Sequence, residues 1–440
     1  MNNGNAARNA ATPAAKARTA ERVRARIGRR HAAERRFRFY GMAASAAALA
    51  MLLVLFASIL GTGWGAFRQT MLHLDITFDP QVVDPEGTRD PKALAGADYQ
   101  RLIRDAMTAV IPEAGGRQER RALTAMVSSG GADVLRDLVM RDPALVGQTR
   151  KVSVPASSDV DQFVKGNVDV NVPESSRRIS DKQVAWLSRL QERGMVEKVF
   201  NSILFSAGDS REPELAGIWG AVVGSLYVMA VTLILSFPLG VAAAVYLEEF
   251  AVKNRITDVI EVTINNLAAV PSVVFGLLGL AVFLNFFGLP RSAPLVGGLV
   301  LALIILPTII ITGRAALQSV PPSIREAALG VGASRMQTIT HHVLPLAMPG
   351  ILTGTIIGMA RALGESAPLL MVGMVAFIVD IPESAVSPAT VLPVQVYLWA
   401  DSAERAFVER TSAAIIVLLV FLVVMNAAAV VLRNKFERRW

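Results

Sequence analysis

The chain has 440 residues, of which 52% are hydrophobic and only 18% are charged, and its mean hydropathy is +0.44. A soluble domain usually carries about 25% charged residues, so the composition argues against a soluble protein and indicates a membrane protein. The chain contains no cysteine, which excludes disulfides and thiolate metal ligands. Its four histidines are scattered, apart from the adjacent His341 and His342, so we expect no metal site and no cofactor.

The first 40 residues form a strongly basic arm with eleven basic and two acidic residues. A basic flank of this size stays in the cytoplasm. We expect a solvated, disordered tail over 1–40 that sets the membrane topology and does not bind nucleic acid. The first transmembrane helix is predicted directly after it, at 41–67.

Six apolar segments reach or approach the roughly 20 residues that a helix needs to cross a bilayer. They lie at 42–67, 218–247, 267–287, 295–311, 351–379 and 413–432. Six crossings return the C-terminus to the cytoplasmic side, and Arg433 and Lys435 agree with this orientation. The sequence therefore predicts a multi-pass protein of the inner membrane with both termini in the cytoplasm.

A polar stretch, 68–214, lies between the first two spans and is long enough for a small extracytoplasmic domain. Apolar and polar residues alternate over 72–79, which predicts a half-buried strand that ends at Asp79 and Pro80. Helices are predicted at 102–110 and 181–205, and strands and turns at 152–172. The domain is thus predicted to be α+β, and nothing in it indicates a catalytic site.

The remaining part, 215–440, holds five of the predicted spans with short connections. Gly220 and Gly224 in the second span would let a neighbouring backbone approach closely. Pro271 predicts a kink in the third span, with a role in lining a pathway as the alternative. Arg314, near the end of the fourth span, is expected to extend its guanidinium to the membrane surface.

The loop at 320–345, between the fourth and fifth spans, carries a recognisable motif. A Glu-Ala-Ala is followed by a glycine four residues past its second alanine, and a Leu-Pro begins twelve residues after that glycine. Two Ser-x-x-Glu/Gln spacings, at Ser323 and Ser334, predict capping boxes and hence two short helices around a bend, with Pro345 opening the next span. Glu326 would serve as a helix cap or an ionic contact. The alternative interpretation of the whole segment 320–345 is an ordinary connecting loop.

The fifth span contains charged residues. Gly350, Gly354 and Gly358 recur every four residues, and at about 100° per residue Arg361 and Glu365 share their face of the helix. A charge in mid-membrane costs about 2.5–3.5 kcal/mol, whereas a helical ion pair returns only about 0.2–0.5 kcal/mol. An ion pathway therefore explains the pair better than a purely structural buried ion pair does. The forked donors of arginine suit a tetrahedral oxyanion.

From residue 217 to residue 440 the sequence resembles the A-type inner-membrane permease of the bacterial high-affinity phosphate ABC importer. The segments that carry the resemblance, beside the loop at 320–345, are YLEEF at 246–250, NLAAVPS at 266–272, GLLGL at 276–280, RALGESAPLL at 361–370, VLPVQ at 391–395 and MN at 425–426. The charged segment at 361–370 is the most specific, because many importers share the loop but not this segment. His342 departs from the family, which usually has an aliphatic residue there.

The resemblance implies a heterodimer with a second permease subunit, two ATP-binding subunits and a periplasmic phosphate-binding protein. It assigns phosphate translocation to Arg361 and Glu365. It assigns contact with the ATPase to the loop, whose candidate residues are Ser323, Arg325, Glu326, Ala327, Ala328, Gly332, Leu344 and Pro345. The basic arm and the 68–214 domain exceed the compact six-span form and resemble an extension found in some members.

We therefore predict an all-α polytopic membrane protein with six transmembrane helices, the ABC importer permease fold and a small α+β extracytoplasmic insertion. It would import phosphate and would not be an enzyme, because the sequence has no Gly-x-x-x-x-Gly-Lys-Ser/Thr phosphate loop and ATP hydrolysis would belong to a separate subunit. Three alternatives remain open. They are a permease for another oxyanion such as sulfate, a secondary transporter or channel, and a membrane-anchored sensor that acts through 68–214.

Overall fold

The structure, a computed structural model, describes residues 13–436. Residues up to Leu60 form one unit, and residues from Gly61 onward form another. The described part of the first unit is a single helix, α1 (Pro13–Gly63), which ends in the second unit. The predicted disordered tail is therefore wrong for 13–40, where the frequent Ala and Arg have high helix propensity. The rest of the arm, 1–12, lies outside the described residues.

The insertion contains a three-stranded antiparallel sheet. Strand β1 (Arg68–Thr77) lies between β2 (Thr149–Pro155) and β3 (Val196–Phe200). The insertion also contains eight short helices, and they are α2 (Pro80–Val83), α3 (Pro91–Ala95), α4 (Tyr99–Val110), α5 (Arg117–Thr124), α6 (Gly131–Arg141), α7 (Ser158–Val164), α8 (Asp181–Glu192) and α9 (Ile203–Ser206). The α+β prediction is thus confirmed.

Strand β1 follows the predicted alternation of apolar and polar residues. Leu72, Leu74 and Ile76 are fully buried from alternate positions, because successive side chains of a strand point to opposite faces. Asp79 ends the strand as predicted, and its carboxylate accepts a hydrogen bond from the Gln81 N–H at 2.9 Å to cap α2. These buried positions form the centre of the hydrophobic core of the insertion.

Two predictions within the insertion are wrong in part. The predicted helix at 181–205 ends at Glu192, because Gly194 turns the chain with φ +67° and β3 follows. A left-handed φ is costly for most residues but not for glycine. The predicted strands and turns at 152–172 do begin within strand β2, but helix α7 follows, where Asp159 and Asp161 lie in the first turn and interact favourably with the helix dipole.

The rest of the second unit consists of helices. They are α10 (Trp219–Val245), α11 (Arg255–Ala268), α12 (Ser272–Leu278), α13 (Pro294–Gln318), α14 (Pro322–Gly330), α15 (Arg335–Thr338), α16 (Leu344–Gly364), α17 (Ala367–Met371), α18 (Leu392–Ala400) and α19 (Ala406–Phe436). Short π-helical segments extend α10, α12 and α15. With the small sheet of the insertion, this architecture confirms the predicted fold class.

Within the described residues, five helical segments are long and apolar enough to cross a membrane, or six when one bent pair counts as a single span. The bent pair is Arg255–Ala268 and Ser272–Phe286, at 103°. The chain is therefore interrupted at Pro271 as predicted, but by a bend between two helices and not by the predicted kink within one span. The fifth predicted span, 351–379, is wrong in its bounds, because the helix already begins at Arg335 and ends at Gly364.

Glycines determine how the membrane helices pack. A Cβ at Gly354 would collide with Thr312 of α13, and one at Gly350 would lie 2.7 Å from Ala316 Cβ. The glycine stripe of α16 therefore packs closely against α13. A Cβ at Gly224 in α10 would likewise collide with the Thr390 carbonyl, which confirms that a backbone approaches this glycine closely. Small residues allow such contacts between membrane helices.

Candidate functional site

The loop at 320–345 forms two short helices around a glycine bend, as predicted. Gly332 adopts φ +91° between α14 and α15. The Ser334 hydroxyl accepts a hydrogen bond from the Gln337 N–H at 3.2 Å, and the Ser334 N–H donates to Gln337 Oε1 at 2.9 Å. These two bonds form the predicted capping box of α15.

Two other predictions for this loop are wrong. Ser323 does not cap α14, because the N-cap is Pro321 and Pro322 begins the helix, with a φ already suited to the first turn. Pro345 does not open a new helix either. Helix α15 continues through a π-helical turn, Ile339–Val343, into α16, so Leu344 and Pro345 lie inside one continuous helical segment.

Arg325 joins the loop to the end of α10. Its guanidinium donates to the Glu249 carboxylate, at 2.6 Å from Nη2 to Oε1, and to the carbonyl oxygens of Leu317 and Val320 at 2.9 and 2.7 Å. Arg335 donates to the Glu249 carbonyl and lies over the Phe250 ring at 5.4 Å from its centroid. Two arginines of the loop thus hold the segment that follows α10.

Sequence reasoning missed Glu249 as a functional residue, although it noted the segment YLEEF as part of the resemblance. The pair of acidic residues at the end of an apolar span was the available signal. Glu248, the neighbour of Glu249, contacts Arg314 at 3.4 Å and accepts a hydrogen bond from Gln318 at 2.8 Å. Arg314 also pairs with Glu261 of α11 at 2.8 Å. Carboxylates of two neighbouring elements therefore neutralise Arg314, and its extension to the membrane surface stays a prediction.

The opposite face of the loop is exposed and largely apolar. Val331 is 87% exposed, Met336 60% and Leu329 50%. Glu326 and Ala327 lie on the same exposed surface, whereas Ala328 is buried against the rest of the loop. Within residues 13–436, Glu326 makes neither an ion pair nor a side-chain hydrogen bond. Exposed apolar side chains that lie together are typical of surfaces that contact a partner.

Arg361 and Glu365 lie at the end of α16, where the structure differs from the prediction of one helix face. The helix ends at Gly364, and Glu365 has extended backbone angles of φ −80° and ψ 113°. The two side chains still approach, with 3.7 Å between Arg361 Nε and Glu365 Oε1. This separation makes a loose ionic contact and not a hydrogen bond.

The surroundings of Arg361 also separate it from the glycine stripe. Helix α13 covers Gly354 and Gly358, whereas the Arg361 side chain is 55% exposed and that of Glu365 is 20% exposed. The guanidinium therefore keeps most of its donors free on a surface that the rest of the second unit leaves uncovered. An exposed guanidinium of this kind can bind an anion or contact another subunit.

A second charged cluster joins the insertion to α19. Lys165, which directly follows α7, contacts Asp161 at 2.6 Å and Glu409 at 3.2 Å. All three side chains are at least 92% buried, with exposures of 8%, 6% and 6%. Next to them, Arg410 donates to the Glu214 carbonyl at 3.4 Å. Sequence reasoning missed this cluster, because no local pattern relates α7 to a residue far along the chain.

Two family models match the chain. One, described as binding-protein-dependent transport system inner membrane component, matches residues 236–440, and the other, domain of unknown function (DUF3333), matches residues 24–174. The chain is 33% identical over 223 residues to the phosphate transport system permease protein PstA 1 of Mycobacterium tuberculosis (strain CDC 1551 / Oshkosh), which covers 51% of this chain and 72% of that protein.

The chain is also similar to a second relative over a shorter stretch and to a solved structure at lower sequence identity. Over 155 residues the chain is 37% identical to the probable ABC transporter permease protein YqgI of Bacillus subtilis (strain 168), covering 35% of this chain and 52% of that protein. Among solved structures, an inward-facing MetNI methionine ABC transporter covers 50% of this chain and 95% of its own, at 18% identity and a TM-score of 0.39.

The match to PstA 1 spans most of that relative, and the family model over 236–440 covers the end of α10, the helices after it, the loop and the charged end of α16. The chain therefore belongs to the PstA-like family of ABC importer permeases, the inner-membrane components of binding-protein-dependent transport systems.

Proposed function

We propose that this permease moves inorganic phosphate inward across the inner membrane and that Arg361 binds the oxyanion on its way. As an ABC importer permease the chain is a multi-pass transport subunit, and ATP hydrolysis resides in separate subunits. The substrate is suggested by relatives that are named phosphate transport permeases. The observation that carries the proposal is the exposed guanidinium of Arg361 at the end of a membrane helix.

The exposure of Arg361 argues for a pathway. A charge that faced lipid would cost about 2.5–3.5 kcal/mol on insertion scales, and the contact with Glu365 at 3.7 Å is too long to offset it. The uncovered face must therefore meet a second permease subunit or water in the assembled transporter. An anion that passes between the two subunits would find forked donors there, while Glu365 would keep the site close to neutral when no anion is bound.

The loop at 320–345 would connect this site to the ATPase. Its exposed surface around Glu326 and Val331 would dock on an ATP-binding subunit, while Arg325 and Arg335 tie the loop to the end of α10. Since α15 is continuous with α16, motion at the loop would reach Arg361 through a single helical segment. Alternating access follows if ATP binding tilts this segment.

The orientation completes the proposal. With the basic arm and the loop in the cytoplasm, the insertion at 68–214 lies outside the inner membrane. A periplasmic phosphate-binding protein would dock on that side, and a heterodimeric partner permease would complete the pathway.

The substrate can be tested with the reconstituted transporter. We expect a phosphate-loaded binding protein to stimulate ATP hydrolysis and a sulfate-loaded one to leave it at the basal rate. Stimulation by sulfate alone would assign the permease to another oxyanion. Uptake that continues without any ATP-binding subunit would instead favour a secondary transporter.

The role of Arg361 can be tested with three variants. Arg361→Gln should abolish uptake while the complex still assembles, and Arg361→Lys should retain part of it, because lysine keeps the charge but not the fork. The double variant Arg361→Gln with Glu365→Gln removes both charges. If the double variant recovers uptake, the pair is only structural and the pathway role is wrong.

A further inference from the structure

A basic cleft opens where the first span ends and the last span begins, at the base of the insertion. It has a volume of about 600 Å³, within the range of pockets that hold small molecules. The residues that give it its character are Trp64, Arg68, Lys165, Lys198, Arg405 and Glu409. The candidate spans His31–Phe67 and Ala406–Lys435 end and begin here, so the cleft lies at the level of the membrane surface.

The charge of the cleft is unbalanced. Its single carboxylate, that of Glu409, already pairs at 3.2 Å with Lys165, a cation that it shares with Asp161. Arg68, Lys198 and Arg405 are exposed, and none of them forms an ion pair with another residue of 13–436. Three cations on three separate elements, at the start of β1, within β3 and before α19, therefore line one cleft, and no carboxylate of 13–436 pairs with any of them.

The mouth of the cleft has the character of a membrane interface. Trp64 is 64% exposed and Val408 is 60% exposed, and both line the cleft beside the cations. Tryptophan is enriched where a membrane meets water. Basic residues at the membrane surface attract anionic lipids by about 1 kcal/mol each. A site that served only a free anion would not need an apolar mouth at this depth.

We propose that this cleft binds the headgroup of an anionic phospholipid. Arg68, Lys198 and Arg405 surround the phosphodiester, while the acyl chains pass Trp64 and Val408 into the bilayer. The lipid would then contact the cluster of Lys165 and Glu409 that joins the insertion to α19. Neither the proposed phosphate pathway nor the loop at 320–345 contributes to this site.

The test uses the full-length chain, purified in detergent and stripped of lipid. Phosphatidylglycerol is then added, and bound lipid is counted by native mass spectrometry, with phosphatidylcholine as the zwitterionic comparison. The triple variant Arg68→Gln, Lys198→Gln and Arg405→Gln removes the three cations. The matched control Arg117→Gln, Arg121→Gln and Lys151→Gln removes the same charges from exposed positions elsewhere in the insertion.

We expect the native chain to retain phosphatidylglycerol in preference to phosphatidylcholine. The triple variant should bind phosphatidylglycerol about tenfold more weakly or worse, since three surface cations contribute, and the control should bind it like the native chain. Equal losses in both triple variants, or equal retention of the two lipids, would overturn the proposal. Displacement of the lipid by millimolar inorganic phosphate would overturn it as well and would assign the cleft to the free anion.

Discussion

The contact between Arg325 and Glu249 gives the sharpest prediction about the loop. Arg325 donates to the carboxylate of Glu249 and to the carbonyls of Leu317 and Val320. The side chains of the pair are 24% and 10% exposed. The substitution Arg325→Met keeps the apolar stem and removes every one of these donors, which leaves Glu249 as an unpaired, mostly buried carboxylate.

The expected loss in stability follows from this geometry. Removing one partner of a fully buried ion pair costs about 3–5 kcal/mol, and exposed pairs contribute about 0–1 kcal/mol. Because Arg325 keeps about a quarter of its surface in solvent, we expect Arg325→Met to lower the free energy of unfolding by about 2–4 kcal/mol. In a double-mutant cycle with Glu249→Gln, the coupling energy should be about 1–3 kcal/mol.

The assay is unfolding of the full-length chain in detergent micelles with increasing dodecyl sulfate, followed by loss of helical circular dichroism. The control is Glu326→Gln on the same helix, which is exposed and should change stability by less than about 0.5 kcal/mol. In the assembled transporter Glu326→Gln should instead weaken ATPase binding or uncouple hydrolysis from uptake. A coupling energy indistinguishable from zero between residues 325 and 249 would refute the reasoning about the loop.

Three further predictions concern stability. Gly332→Ala should lower the free energy of unfolding by about 1–2 kcal/mol, because residue 332 has a left-handed φ. Gly330→Ala at the end of α14 should leave it unchanged, because an added Cβ would meet open space there. Equal effects of the two substitutions in the same unfolding assay would contradict this. Lys165→Met should destabilise the chain by about 3–5 kcal/mol, since it leaves the buried Glu409 without its cation, and a change below about 1 kcal/mol would show that the cluster is not structural. Burial raises the pKa of the Glu214 carboxyl above its ordinary value of 4.5, so the folded chain holds this proton more firmly than the unfolded chain does. The free energy of unfolding should therefore fall as the pH rises above 4.5. Glu214→Gln should flatten this fall in melting curves recorded from pH 4.5 upward, and the same pH dependence in the variant would contradict a raised pKa of Glu214.

Local patterns in the sequence predicted the features that depend on neighbouring residues. The capping box of Ser334 and Gln337, the bend at Gly332 and the strand over 72–78 each involve side chains and backbone within a few positions. The break at Pro271 is equally local, because proline lacks a backbone donor. The end of α16 at Gly364 was missed, since the apolar composition continues past it and only the fold shows where the helical hydrogen bonds stop.

The contacts that define the candidate sites were not predictable in this way. Arg325 meets Glu249 across 76 positions, and Lys165 meets Glu409 across 244. No spacing rule relates residues so far apart, because their meeting depends on how whole helices pack. Arg314 shows the same dependence, since its carboxylate partners come from α11 and from the segment after α10.

The sequence by itself determined that this is a multi-pass permease. Long apolar helices satisfy their own backbone hydrogen bonds in lipid, and this property is written in local composition. The loop pattern and the charged segment at 361–370 determined the family by resemblance. Only the tertiary structure decided that α13 covers the glycine stripe while Arg361 stays uncovered, and that basic residues from three elements surround one cleft. These features depend on the spatial arrangement of elements distant in the chain, which local physical chemistry does not specify.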